Sequence, residues 1–250
     1  MASVQELKLE LLEIVRALKA YVQTYPQSCG ESPEEDRVSE SQPFVSFTEE
    51  EKTVSDQNHI LTLEMIHAEM GDCQRCPLGR SRTHLVFGEG NPQAELVFVG
   101  EAPGGDEDRL GRPFVGRAGQ LLTKIVAAMG LTRRDVYICN ILKCRPPGNR
   151  NPQPDEIAAC EPFLIKQLQA IQPKIICALG TFAAKTLLKT DVPISVLRGR
   201  YHDYHDISLM PTYHPAYLLR NPGAKKLVWE DVQVIMKDLG LKKKDKSDIS

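Results

Sequence analysis

Residues 95–100 read ELVFVG, and the apolar run ends at once in GEAPGGDEDRLGRPFVG, residues 100–116. An unbroken apolar run suits a strand buried on both faces, whereas a half-exposed strand alternates. The segment after it holds five glycines, two prolines and four carboxylates (Glu101, Asp106, Glu107, Asp108) but no lysine. Phosphate-cradling loops use a lysine and free amide N–H groups. This one instead offers carboxylates, read at Asp106 and Asp108 as solvated charge, and an aromatic ring, Phe114.

Similar apolar runs recur outward from this one: HLVFG (84–88), DVYICN (135–140), KIICALG (174–180) and ISLMPTYH (207–214). Helical periodicity separates several of them, at 117–129, 154–170, 180–189 and 224–239, and a further helix is expected over 58–70. Strand–helix–strand alternation predicts an α/β fold with a parallel sheet and helices on both faces. Such sheets bind ligands at the carboxyl ends of their strands. The informative places are therefore just after Gly100, Asn140, Gly180 and Tyr213.

A chain of 250 residues fits one domain of ordinary size with an extension. Leu7, Leu11, Ile14, Val15, Leu18 and Val22 recur at helical steps, which predicts an amphipathic N-terminal helix. Residues 24–57, rich in Ser, Pro, Glu and Gln, read as a disordered linker. The expected division is 1–57, helix and acidic linker, and 58–245, the globular domain. Residues 1–57 carry 5 Lys/Arg against 12 Asp/Glu, and the rest carries 26 against 21. A mildly basic domain is compatible with a nucleic-acid partner. No run approaches the ~20 apolar residues of a membrane span, and the N-terminus lacks the basic-then-apolar order of a signal peptide. The expectation is a cytoplasmic protein with no membrane partner.

Seven cysteines, an odd number, argue against a disulfide framework. Cys73 and Cys76 form C-x2-C, and fifteen residues separate Cys144 from Cys160. Two thiolates from one turn and two from a distant segment can close a four-cysteine site for zinc or an iron–sulfur cluster. Cys139 and Cys177 sit inside apolar runs and read as buried core thiols; Cys29 reads as an unpaired linker thiol. His67-x-Glu69 ahead of Cys73 superficially matches the zinc deaminase signature. Only three residues separate Glu69 from Cys73, and no proline precedes Cys73, so the pair reads as ordinary helix-end residues.

Two strand ends carry unusual chemistry. Asn140 ends a strand with a carboxamide, whose adjacent donor and acceptor match the N3–H and O4 edge of uracil and oppose that of cytosine. Lys143, Arg145 and Arg150 follow in a proline-rich loop and are expected to meet phosphates. In PTYHPAYLLRNP (211–222), His214 is fixed by Pro215, and the next turn presents Tyr217, Leu218, Leu219 and Arg220. A histidine there can stabilise an oxyanion on a leaving base, and an apolar tip can wedge into a base stack.

Together GEAPGGDEDRLGRPFVGRAGQLL (100–122), NILKCRPPGNRNP (140–152) and PTYHPA (211–216), with the two cysteine pairs, closely resemble the family 4 uracil-DNA glycosylases over about residues 60–240. The resemblance implies a three-layer α/β/α sandwich around a four-stranded parallel sheet. It implies hydrolysis of deoxyuridine's N-glycosidic bond in single- or double-stranded DNA, leaving an abasic site, by a monomer without a nucleophilic lysine. Cys73, Cys76, Cys144 and Cys160 match the ligands of a [4Fe–4S] cluster. Phe114 matches the ring stacked on uracil, Asn140 its reader, and Glu107 the carboxylate near C5. Ala102 and Gly104 offer backbone contacts, His214 stabilises charge on O2, and Glu101 supports the cationic sugar and orients water. One departure stands out: Ala102 occupies the position where better-known uracil glycosylases carry an aspartate. The acidic loop would thus hold a nucleobase. The resemblance leaves the N-terminal extension aside; it could dock on the domain or on a repair or replication protein. Two rivals remain. One is a non-catalytic or covalent uracil-DNA-binding iron–sulfur protein of the same fold, against which stands the lack of a KRRIH-like insertion between Asn140 and Cys160. The other is a zinc-bearing structural domain associated with replication proteins.

Overall fold

The computed structural model describes residues 61–241. The N-terminal helix and linker expected over 1–57, with Cys29, lie outside the described residues. In chain order the elements are α1 (Leu63–Met70), β1 (Glu89–Gly90), β2 (Leu96–Gly100), α2 (Gly105–Leu110), α3 (Arg117–Ala128), β3 (Tyr137–Asn140), α4 (Pro154–Ile171), β4 (Ile175–Leu179), α5 (Thr181–Leu188), α6 (Ile194–Leu197), β5 (His202–Tyr204), β6 (Ile207–Thr212), α7 (Pro215–Arg220) and α8 (Lys225–Asp238).

The strands form one sheet in the order β1-β3-β2-β4-β6-β5. Its centre, β3-β2-β4-β6, is parallel, as the apolar runs required. Two short antiparallel edges, β1 and β5, extend the expected four strands to six. Side chains alternate across the sheet, so each apolar strand feeds two cores. Val97, Val99, Cys139, Ile176 and Ala178 face one side and pack with Ile66 of α1, Leu164 and Leu168 of α4, and Ala184 of α5. Leu96, Phe98, Ile138, Cys177 and Met210 face the other, against Leu122 and Val126 of α3 and Val232 and Ile235 of α8. That is the three-layer sandwich. The core thiols Cys139 and Cys177 are buried, one in each layer. No described helix is long and apolar enough to cross a membrane.

Three expectations are corrected. HLVFG (84–88) is not a strand. Val86 donates its N–H to the Lys143 carbonyl at 2.8 Å, but Lys143 already lies beyond the end of β3, so no ladder can continue there. The acidic segment after β2 is not all loop, because it winds into α2 with Asp106, Glu107 and Asp108 in its first turn. Carboxylates are favoured at that end of a helix dipole. Asp108, expected in solvent, is buried and accepts the Thr83 N–H at 2.8 Å.

Candidate active site

The carboxyl ends of the four parallel strands open into one cleft of about 780 Å³. Glu101, Ala102 and Gly104 reach it from β2, Asn140 from β3, Gly180 and Thr181 from β4, and Tyr213 and His214 from β6; Phe114 and Glu107 also line it. Residues scattered over 113 positions of sequence, Glu101 to His214, are thereby brought together.

Gly100 and Asn140 are paired across β2 and β3. The Asn140 side chain is buried, and its Oδ1 has no hydrogen-bond partner within the protein. An orphaned buried acceptor costs about 1–3 kcal/mol, so the site is built to receive a donor. Gly100 leaves the room: a Cβ there would lie 2.3 Å from Asn140 Oδ1 and 2.5 Å from the Phe114 ring. Phe114 is itself buried and, though not a glycine, has φ of 52°. Its ring centroid stands 5.6 Å from that of His214.

Glu107 ties the loop into a ring. Its Oε2 accepts the Gly104 N–H at 3.1 Å, while Oε1 accepts the N–H groups of Val115 and Gly116, both at 2.9 Å. Both ends of the segment flanking Phe114 are thus fixed to one carboxylate. The Glu107 bond to the Gly104 N–H is the half of a capping box that a glycine N-cap allows.

His214 caps α7, with Nδ1 accepting the Ala216 N–H at 3.1 Å. A backbone N–H can only donate, so Nδ1 carries no proton and the neutral ring holds its proton on Nε2. Burial, with the Arg220 charge second, pulls the His214 pKa down to about 4. The ring is therefore a neutral donor at physiological pH. The strand end behind it is anchored by buried Asp231, which accepts from Thr212 Oγ1 at 2.5 Å and Arg198 Nη2 at 2.6 Å. Burial alone pushes the Glu101 carboxyl up to about 7.

The expected DNA contacts divide. Arg220 is exposed at the cleft mouth. Arg150 lines the cleft while paired to Glu156 at 2.5 Å, and Arg145 donates to Asn149 Oδ1 at 2.8 Å. Lys143 does not point at solvent. It is fully buried, with Nζ donating to the Asn140 carbonyl at 2.6 Å, because its stem runs back under the strand end. Leu218 is also a core residue, packed with the α8 cluster. Helical geometry turns Tyr217 and Leu219 outward instead, at 38% and 44% exposure.

The four cysteines of the two pairs line a second, small cavity with Met70, Leu85 and Lys143. None is disulfide-bonded. Arg75 Nη1 donates to Cys73 Sγ at 3.3 Å, Arg82 Nη1 to Cys144 Sγ at 3.4 Å, and the Lys143 N–H to Cys160 Sγ at 3.3 Å. Among the described residues, no three His, Cys, Asp or Glu side chains converge tightly enough to hold a single metal ion. Four thiols lining one cavity are a donor set that either zinc or an iron–sulfur cluster takes. His67 packs on Phe87 at 4.7 Å and Glu69 pairs with Lys166 at 2.5 Å, so both are helix-surface residues.

The model of the uracil DNA glycosylase superfamily matches residues 87–233. The chain belongs to this superfamily. Among curated proteins it is similar to the Type-4 uracil-DNA glycosylase of Thermotoga maritima, at 46% identity over 68% of this chain and 91% of that one. The proteins of the same name from Saccharolobus solfataricus and Archaeoglobus fulgidus are each 43% identical, over 72% and 70% of this chain and 88% and 92% of theirs. The uracil DNA glycosylase match spans every cleft residue named above; Cys73 and Cys76 precede it.

Proposed function

We propose that the protein is a DNA-repair glycosylase that hydrolyses the N-glycosidic bond of deoxyuridine, releases uracil and leaves an abasic site. The observation that carries this is the orphaned Asn140 Oδ1 buried beside an aromatic ring. Uracil N3–H supplies the missing donor, and Asn140 Nδ2 donates to uracil O4. Cytosine presents an acceptor at N3, which would leave two acceptors facing each other.

The target bond is inaccessible within a duplex, so the nucleotide is extruded at a cost of a few kcal/mol. The exposed pair Tyr217 and Leu219, rather than Leu218, supplies the apolar tip that fills the stack. Arg220, Arg145 and Arg150 meet backbone phosphates; Lys143 instead fixes Asn140 from behind. Phe114 stacks on the extruded base, an interaction worth ~1–3 kcal/mol, and Glu107 closes the wall near C5.

In the reaction the N1–C1′ bond breaks and its electron pair leaves with uracil. His214 Nε2–H bonds O2 of the departing anion; being neutral, it stabilises this charge without surrendering a proton. Glu101, with a carboxyl near 7, takes the proton of the water whose oxygen bonds C1′. The acting unit is taken to be a monomer, since Glu101, Asn140 and His214 converge on a single cleft of this chain. Cys73, Cys76, Cys144 and Cys160 would hold a [4Fe–4S] cluster, which supplies cross-links between distant segments. Cys144, held in this way, would pin the loop that starts at Asn140.

The test is a uracil-containing oligonucleotide treated with protein and then alkali. Scission at uracil, lost in Asn140→Ala, is expected. Intact strands after incubation with iron-replete protein would overturn the assignment.

A further inference from the structure

We infer that Arg133 is a positioning residue for the base platform: anchored on Glu89, its guanidinium clamps the backbone of Phe114 and keeps the ring aimed into the cleft. This rests on reading the cleft as a uracil pocket. Arg133 lies between α3 and β3 and lines no part of the cleft. All five of its N–H donors are nevertheless spent around Phe114. Nε and Nη2 donate to Glu89 Oε1 at 2.9 and 2.6 Å, and Nη2 also to the Pro113 carbonyl at 2.7 Å. Nη1 donates to the Phe114 carbonyl at 3.1 Å and to Thr123 Oγ1 at 3.3 Å. The side chain is only 19% exposed, so water competes poorly for these bonds.

The clamp matters because of the conformation it holds. Phe114 has φ of 52°, which L residues with a bulky side chain rarely adopt. Such a conformation persists only where its surroundings over-determine it. Here the Phe114 carbonyl is caught from two sides. On one, α3 packs so closely that a Cβ on Gly119 would come within 1.8 Å of it; on the other is the guanidinium. Glu89 is the fixed post. It sits on the edge strand β1 and is shared with Arg112, from the same loop, at 2.7 Å. Burial pushes the Glu89 carboxyl up, but its bonds to the two arginines hold it below the usual carboxylate range. A lysine at 133 presents one ammonium, which cannot reach the carboxylate and both carbonyls together.

The experiment compares wild type, Arg133→Lys and Arg112→Gln, each as the full chain with its iron. Steady-state uracil excision over a range of oligonucleotide concentrations, inhibition by free uracil, and the ¹⁹F resonance of 4-fluorophenylalanine at 114, assigned through Phe114→Leu, are measured. Arg133→Lys is expected to lower kcat by about 10–100-fold, the range of a lost base–aromatic stack. KM for the oligonucleotide should stay within about threefold, free uracil should inhibit roughly tenfold more weakly, and the resonance should shift or broaden. Arg112→Gln removes the other cation on Glu89 and should leave all three readouts near wild type. If Arg133→Lys only lowers the fraction of active molecules, with kcat per active molecule, uracil inhibition and the resonance unchanged, the clamp is refuted. Should Arg133→Lys fail to fold, Glu89→Gln weakens the anchor; unchanged uracil inhibition and an unchanged resonance there also refute it. If wild type itself leaves uracil in DNA, the functional reading falls separately, and the ¹⁹F comparison still decides the clamp.

Discussion

Gly100→Ala is the most revealing single substitution. The added methyl carbon would sit 2.3 Å from Asn140 Oδ1 and 2.5 and 2.8 Å from two atoms of the Phe114 ring. Reaching even a tight 3.0 Å contact requires movements of roughly 0.5–0.7 Å in the two groups assigned to grip the base. Gly100 is not at positive φ, so the backbone itself tolerates alanine. The stability cost is that of overpacking, about 1–3 kcal/mol. The functional cost is larger. Losing the stack removes ~1–3 kcal/mol, and displacing the Asn140 acceptor from uracil N3–H forfeits another ~1–3 kcal/mol. Together these predict a fall in kcat/KM of roughly 30-fold to 20,000-fold. Single-turnover excision from a single-stranded oligonucleotide, with a thermal melt alongside, measures both. A folded Gly100→Ala protein that excises uracil within threefold of wild type would refute the geometry assigned to the pocket.

Further outcomes are expected. The acid limb of kcat/KM should be set by Glu101, activity rising as pH passes through about 7, and Glu101→Gln should flatten that limb. For stability the signs are opposed. The raised Glu101 pKa contributes stability below its ordinary 4.5 that is lost as pH rises through about 7. The lowered His214 pKa costs stability as pH falls from 6.5 towards about 4. Thermal melts of Glu101→Gln and His214→Gln across pH 4–8 separate the two. Leu218→Ala should cost about 2–5 kcal/mol by denaturant titration, whereas Leu219→Ala should leave stability intact and slow excision in duplex more than in single strands. Cys144→Ala should lose bound iron and DNA affinity together, measured as iron per chain and by an oligonucleotide binding isotherm; a variant with full iron and unchanged affinity would contradict the pinning role.

The sheet was readable because strands buried on both faces are written as unbroken apolar runs, and LVFV, YICN and IICAL became β2, β3 and β4 in one parallel array. The rule that ligands meet strand ends then located Asn140 and His214. What escaped was decided by tertiary direction. α2 hid behind its glycines, because a glycine N-cap carries no side-chain capping signal. Lys143 and Leu218 carried the residue types of a DNA contact, yet a buried carbonyl captured one and the α8 core the other. The outward placement of Leu219 depends on where α7 begins, which the His-Pro pair suggests but does not fix. Arg133, far from every motif, has no local signal at all; its partners Glu89 and Phe114 stand 44 and 19 positions away.

The account rests on the unmatched Asn140 oxygen receiving the imide hydrogen of uracil. Excision rates for deoxyuridine and N3-methyldeoxyuridine, with wild type and with Asn140→Ala, interrogate that bond. Wild type should discriminate strongly against the methylated base, and Asn140→Ala should lose most of that discrimination. Equal wild-type rates on the two bases, or discrimination that survives intact in Asn140→Ala, would contradict it.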